Sequence, residues 1–148
     1  MKNLLFLMLC IASIQLTAQQ TDFNDYGGFV AGGYDVTTYF DGKPLKGLAK
    51  YTLEHGGTVY KFATPTRLER FKKNPEQFIP QYGGWCAYAM GKTGSKVSVN
   101  PKTYEIHEGK LYLFYNAYLT NTLKKWRAED PDELRQQADK NWERVMKY

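Results

Sequence analysis

Alternating apolar and polar positions predict two β-hairpins in the middle of the chain. The first pairs residues 50–55 with residues 58–62, and the second pairs residues 103–107 with residues 110–115. The four runs are rich in β-branched and aromatic residues, which favour strands. Each pair is joined by two residues that include glycine, and glycine supplies the positive φ that tight hairpin turns need.

A third run of β-branched and aromatic residues, Tyr34–Phe40, lies between Gly32-Gly33 and Asp41-Gly42. Its composition and its flanking turn residues predict a strand or an extended segment.

Helix boundaries are predicted by capping residues followed by proline. Thr64-Pro65 begins a helix that stops before Asn74-Pro75, and Asp130-Pro131 begins the last helix. Residues 74–78 predict a further short turn of helix. The apolar positions of two other segments fall on one helical face, Leu119, Leu123 and Trp126 in a third helix and Leu134, Ala138, Trp142 and Val145 in the last.

Strand pairs mixed with helices, without a βαβ order, predict the α+β class. We expect a small single domain with two β-hairpins, several short helices and a C-terminal helix. The predicted domain covers residues 29–148, and residues 19–28 form a flexible polar arm before it.

Residues 1–18 have the order of a secretory signal peptide. A short positive start is followed by an apolar run, and Ala18 precedes polar residues. The run is too short for a transmembrane anchor, which needs about 17–25 apolar residues. We therefore expect an exported protein, periplasmic or secreted, without a membrane span after cleavage.

The charge of the chain argues against a nucleic-acid partner. Twenty basic and fifteen acidic residues give a formal net charge of +5, and loss of Lys2 with the signal peptide leaves +4. The basic residues are interspersed with acidic ones, whereas a nucleic-acid binder concentrates them in a patch or stripe.

Cys86 is the candidate centre for chemistry. The other cysteine, Cys10, leaves with the signal peptide, so Cys86 has no disulfide partner within an exported chain. Gly83-Gly84 precede it, and residues 85–90 are predicted to form helical turns that end at Gly91. Cys86 would then lie in the first turn, where unpaired N–H groups and the helix dipole favour a thiolate.

Three interpretations of Cys86 remain open at this stage. It is a ligand for a metal or a small molecule, a reactive thiol, or a small apolar residue packed in a core. For a metal of the copper or zinc type, the candidate further ligands are His55, His107 and Met90. Because the chain contains no CxxC, HxxH or HExxH motif, such a site would be assembled from distant positions or completed by tyrosine, methionine or acids. The residues expected to shape a ligand pocket around Cys86 are Tyr82, Trp85 and Tyr88, with contributions from Tyr34, Asp35 and Tyr39.

Several motifs, in order over residues 29–145, resemble the secreted bacterial YHS-domain proteins. The segments that carry the resemblance include Gly33–Phe40, Phe71–Pro75, Gln81–Ala89, Gly109–Leu113 and Ala138–Trp142. The resemblance implies a YHS-type α+β fold and a shared Tyr-Gly-Gly-aromatic-Cys-Ala segment that contains Cys86.

The wider YHS group is similar to TRASH-type modules that handle heavy metals through cysteine thiolates and a histidine. The corresponding positions of this chain are Ala63, Arg67 and Leu53, none of which can replace those ligands. The metal function implied by the wider group therefore does not transfer to these positions.

Taken together, these observations predict an exported small binding module for a small ligand or a metal ion, centred on Cys86. We expect no catalytic residues. The alternatives are a thiol-dependent or redox-active protein that uses Cys86, and a structural or protein-interaction domain in which Cys86 packs in the core.

Overall fold

The computed structural model describes residues 22–147. The predicted signal peptide and the first residues of the predicted arm lie outside this range. The fold is α+β, as predicted. Four α-helices and six strands follow in the order β1 (Leu48–His55), β2 (Thr58–Phe62), α1 (Pro65–Lys73), α2 (Ala87–Thr93), β3 (Asn100–His107), β4 (Lys110–Phe114), β5 (Asn116–Ala117), β6 (Thr120–Asn121), α3 (Thr122–Ala128) and α4 (Pro131–Val145).

Both predicted hairpins are confirmed. β1 pairs with β2, β3 pairs with β4, and the short strands β5 and β6 form a third antiparallel pair. Each long hairpin has an irregular register at its open end, after Leu48 in β1 and after Asn100 in β3. Such bulges bend and twist a two-stranded ribbon.

The two long hairpins are repeats of each other in register. Every paired position of the second hairpin lies 52 residues after its counterpart in the first, as His107 does after His55. Each hairpin is preceded by a left-handed turn with positive φ at three successive residues, Ala31-Gly32-Gly33 and Tyr82-Gly83-Gly84. The chain therefore contains the same turn and hairpin twice.

The run Tyr34–Phe40 is not a strand, so this prediction is wrong. Tyr34 makes a single bridge to Lys46, and Val36–Asp41 form a 3-10 helix. The Asp35 carboxylate accepts the Thr37 N–H and caps this helix. β-branched composition is thus overridden by a local cap and by burial of Val36–Tyr39.

The predicted helix starts at Thr64 and Asp130 are confirmed, since each side chain accepts a backbone N–H from the first turn. The short turn after Asn74 is a 3-10 helix, Pro75–Gln77. The third predicted helix is shorter than expected. Asn121 caps it, so it begins at Thr122, and Leu119 lies in the turn between β5 and β6 with its side chain exposed.

Buried side chains form two apolar clusters with β4 between them. Leu111 and Leu113 of β4 belong to the first cluster, which is otherwise built by residues 30–78. Tyr112 and Phe114 point the other way into the second cluster, with residues of α2, α3 and α4. Because successive strand residues face opposite sides, one strand joins both cores.

Within residues 22–147, no helix has the length and apolarity needed to cross a membrane.

Candidate functional site

The glycine pair before Cys86 forms a left-handed turn, and Gly83 is in addition closely approached by other residues. Tyr82, Gly83 and Gly84 all have positive φ, and a Cβ added at Gly83 would lie 2.6 Å from the Asp22 carbonyl oxygen and 3.0 Å from the Trp142 ring. Only glycine fits a backbone that is left-handed and approached this closely. Tyr82, a bulky residue, adopts the same unfavourable conformation at a cost of order 1 kcal/mol.

The segment that approaches Gly83 is residues 22–24, which belong to the predicted flexible arm. Asn24 is buried, with its backbone N–H donating to the Gly83 carbonyl at 2.7 Å and its side-chain amide donating to the Gly84 carbonyl at 3.1 Å. The Trp85 indole N–H donates to the Asp22 carbonyl at 2.7 Å. Residues 22–24 are therefore docked onto the left-handed turn, unlike the loose arm that we expected.

A surface groove of about 500 Å³ lies beside this turn, between residues 22–23 and helix α4. Its floor is the Tyr82 side chain, whose hydroxyl donates to Asp139 Oδ1 at 2.9 Å. Trp142 forms a wall, 6.4 Å from Tyr82 between ring centroids. The groove is further lined by Phe23, Lys110 and Glu143.

Tyr82 stays a neutral phenol in this groove. Burial raises its pKa far above the ordinary value, and the neighbouring Asp139 carboxylate raises it further. The hydroxyl therefore remains a hydrogen-bond donor over the whole physiological pH range. It orients the Asp139 carboxylate at the edge of the groove.

Cys86 lies outside this groove and is fully buried. It is the N-cap residue of α2, not a member of the first helical turn as we expected, because the backbone turns helical only at Ala87. Its sulfur accepts the Tyr115 backbone N–H at 3.4 Å and lies 3.3 Å from Thr122 Oγ1. The expected open pocket around the thiol is absent among the described residues.

Cys86 occupies the position in the second repeat that Asp35 occupies in the first. Asp35 is also a fully buried cap, and its Oδ2 accepts the N–H of Ala63, the residue just after β2, at 2.8 Å. In the same way, the Cys86 sulfur accepts the N–H of Tyr115, the residue just after β4. The backbone N–H groups of the two caps donate to Leu45 and Val97, which are again 52 residues apart. The sulfur thus takes the place of a carboxylate that accepts hydrogen bonds.

The predicted metal ligands do not assemble. His55 packs edge-on against Tyr60 and Phe71 in the first cluster, and His107 lies near Glu108 at the tip of the second hairpin. Met90 is buried in the second cluster. Within residues 22–147, no group of three or more His, Cys, Asp or Glu side chains is placed to hold a metal ion.

The other predicted pocket residues are divided between the two halves of the molecule. Trp85 and Tyr88 flank Cys86 on its segment, and the Tyr88 hydroxyl donates to Glu129 at 2.7 Å. Tyr34, Asp35 and Tyr39 belong to the first half. Tyr39 and His107 both line a second cavity of about 490 Å³, which Cys86 does not line.

The residues that the sequence reasoning missed are Asn24, Asp139 and Glu143. Their sequence signal is weak, although Asp139, Trp142, Glu143 and Met146 are spaced as one face of a helix. Trp142 was assigned to the apolar stripe of α4. In the structure its ring is half-buried and also forms the wall of the groove.

Comparison with protein-family models gave no match, and neither the curated proteins nor the solved structures gave a significant one.

Proposed function

We propose that the protein is an exported small binding module whose ligand occupies the groove beside Tyr82. The observation that carries this proposal is the cavity of about 500 Å³, in which a buried phenol and a surface carboxylate lie beside an indole ring. Ligand sites combine apolar and aromatic walls with a few polar groups that fix orientation. The export part rests on the sequence of residues 1–18, and the YHS resemblance likewise stays a prediction.

Backbone strain at the groove supports the same interpretation. Tyr82 is held at φ 55°, a conformation that costs free energy for a residue with a large side chain. Strained backbone conformations of this kind are often found at functional sites. Residues 22–24 and Trp142 pack against the neighbouring Gly83 and so hold this turn in place.

The first test is a ligand screen by NMR with small polar aromatic fragments. We expect binding fragments to shift the signals of the Gly83 amide and the Trp142 indole. Tyr82→Phe should weaken those fragments about fivefold, since it removes the hydroxyl that orients the Asp139 carboxylate and one such hydrogen bond contributes about 1 kcal/mol. The matched control is Tyr112→Phe, another buried tyrosine of the same cluster that does not line the groove.

Two outcomes would contradict the proposal. One is a screen in which no fragment perturbs the groove signals. The other is equal weakening by Tyr82→Phe and Tyr112→Phe, which would show a general effect on the core. Export is tested separately by fractionating expressing cells and sequencing the N-terminus, which we expect at Gln19.

A second candidate function is thiol-dependent chemistry at Cys86. The observation that favours it is that the sulfur takes the place of the Asp35 carboxylate and accepts a backbone N–H. A thiol that only fills core space needs no such donor. Because Cys86 is fully buried, this function requires local opening of the segment around it.

Alkylation of the native protein tests the second candidate. The sample is the folded protein without residues 1–18. We expect iodoacetamide to modify Cys86 faster than global unfolding exposes this residue. Cys86→Ser should abolish the modification. The rate of alkylation is compared with the rate of global unfolding measured on the same sample. Labelling no faster than global unfolding would leave Cys86 as a packing residue, whatever the outcome at the groove.

A further inference from the structure

The side of the groove formed by α4 is acidic and aromatic. Asp139, Trp142 and Glu143 lie on the same face of this helix and line the groove, with the Phe23 ring opposite in the docked segment. This composition stands out because the chain as a whole carries a net positive charge.

We propose that the ligand of this groove is an organic cation, a protonated or quaternary amine. The inference rests on the proposed function and names the chemical class of its ligand. A positive charge in the groove would be attracted by two carboxylates and by the faces of aromatic rings. Aromatic side chains attract ammonium groups through the faces of their rings, and carboxylates attract them by charge.

The carboxylates are available to a ligand. Asp139 uses Oδ1 for the Tyr82 hydroxyl, and within residues 22–147 its Oδ2 and the whole Glu143 carboxylate accept no hydrogen bond and join no ion pair. Arg135, one turn before Asp139, pairs with Glu105 and Asp132 instead. The third acid at the groove, Asp22, is neutralised by Lys96.

One positive charge at the groove would repel a cationic ligand, and removing it tests the sign of the ligand's charge. Lys110 is exposed at the rim of the groove and makes no ion pair with a described residue. Two available carboxylates against one ammonium leave a negative balance. Removing the Lys110 charge should therefore strengthen cation binding, while removing Asp139 or Glu143 should weaken it.

The test compares three probes of nearly equal shape by NMR titration of the protein. Choline carries the cation, 3,3-dimethylbutan-1-ol is its neutral isostere, and 3,3-dimethylbutanoate is an anion. We expect choline to shift the Gly83 amide and the Trp142 indole with an affinity about twofold to fivefold above that of the isostere, from a cation–π contribution of about 0.5–1 kcal/mol. The anion should bind more weakly than the isostere.

Charge variants then assign the effect to the groove. Asp139→Asn keeps an acceptor for the Tyr82 hydroxyl, so we expect intact folding and about twofold to fivefold weaker choline binding, as for an exposed charge pair. Glu143→Gln should act in the same direction, and Lys110→Gln should tighten choline by a similar factor. The matched control is Glu69→Gln, which removes an exposed carboxylate on α1 outside the groove.

The outcomes separate this inference from the proposed function. If the isostere or the fragments bind in the groove as well as choline does, the cation proposal is overturned and the binding proposal stands. If choline shifts only signals elsewhere, or if Asp139→Asn and Glu69→Gln weaken it equally, the cation proposal also fails. If neither choline nor any fragment perturbs the groove, both proposals fail.

Discussion

Two bulky residues at the tip of the β5–β6 turn have backbone conformations that suit glycine or asparagine. Tyr118 has φ 48° and Leu119 has φ 64°, and both side chains are almost fully exposed. Positive φ at both central positions is the requirement of the tight type I′ hairpin turn, for which Asn-Gly is preferred. The fold tolerates the strain here without gaining any packing from the side chains.

Leu119→Gly should therefore stabilise the protein. Glycine adopts positive φ without steric cost, and the exposed leucine gives up no buried area, so we expect the free energy of unfolding to rise by about 1 kcal/mol. Urea denaturation measures the change. Leu119→Ala is the matched control, since it removes the side chain but keeps the Cβ, and it should leave stability nearly unchanged. Equal stability of the two variants would contradict the strain argument.

Single residues also show which parts of the site the sequence could predict. Tyr82 was expected to wall a pocket, and it does form the floor of the groove. Cys86 was expected at the centre of that pocket, but the cap of α2 turns its sulfur towards Tyr115 and Thr122. Tyr82 and Cys86 are close in sequence but face different sides, because the left-handed turn Tyr82-Gly83-Gly84 changes the direction of the chain before Cys86.

At the scale of elements, the close crossing of α2 and α4 depends on Gly91. This glycine was expected to end α2, but the helix continues to Thr93 and Gly94 provides the left-handed cap. A Cβ added at Gly91 would lie 2.7 Å from the Leu134 carbonyl oxygen of α4. Nearby, the Asn141 side chain donates to the Met90 carbonyl at 2.7 Å. The glycine is therefore a packing residue and not a helix terminator.

Gly91→Ala should destabilise the protein although alanine is the better helix former. Alanine in a helix interior is favoured over glycine by about 1 kcal/mol. The clash with backbone atoms of Leu134 outweighs this gain, since overpacking costs about 1–3 kcal/mol. Urea denaturation should give a lower midpoint, and a higher midpoint would show that the two helices separate without cost. Ala89→Gly, on a partly exposed position of the same helix, controls for propensity alone.

Elements with local signals were predictable, and elements without them were not. Thr64 and Asp130 each satisfy the first N–H groups of the helix that follows, so the sequence alone locates these starts. The 3-10 helix Val36–Asp41 was mistaken for a strand because its β-branched residues are typical of strands. Asp35 stabilises the helical conformation of this segment, because its carboxylate caps the 3-10 helix and also accepts the distant Ala63 N–H.

At the scale of the whole molecule, the carboxylates of Asp41 and Glu129 join elements that are distant in sequence. Asp41, at the end of the 3-10 helix, pairs with Arg67 and Arg70 of α1. Glu129, before α4, accepts from Tyr88 and Lys92 of α2. The Arg67 hydrogen bond above all lowers the pKa of Asp41, and the Tyr88 hydrogen bond lowers that of Glu129.

The protein should therefore lose stability in acid. Both carboxyl groups have a lower pKa in the folded protein, so their contribution is complete above the unfolded values of about 4 and is lost as the pH falls through the folded ones. Thermal unfolding between about pH 5 and pH 2 should show a falling midpoint. The double variant Asp41→Asn/Glu129→Gln should fall less steeply, whereas Asp41→Glu should resemble the wild type. Parallel curves for wild type and double variant would exclude this cause.

The repeat of 52 residues is visible in the register of the hairpins but barely in the letters of the sequence. Only a few residues agree between the halves, among them His55 with His107, Tyr60 with Tyr112 and Phe62 with Phe114. The two copies have diverged where they face different neighbours, since β4 is buried on both sides between the clusters and β2 has partly exposed positions. The two copies also differ at their equivalent buried caps, where the first has the Asp35 carboxylate and the second has the Cys86 thiol.

The sequence by itself determined the two hairpins, the capped helices α1 and α4 and the α+β class. Turn glycines, caps and alternating apolar residues act between neighbours in the chain, so their consequences can be worked out locally. Only the tertiary structure decided that residues 22–24 dock on Gly83, that Cys86 is sealed and that Tyr82 meets Asp139. These contacts join residues that are distant in sequence, 29 positions for Cys86 and Tyr115 and 57 positions for Tyr82 and Asp139. Such pairings depend on how whole elements pack and not on any local preference.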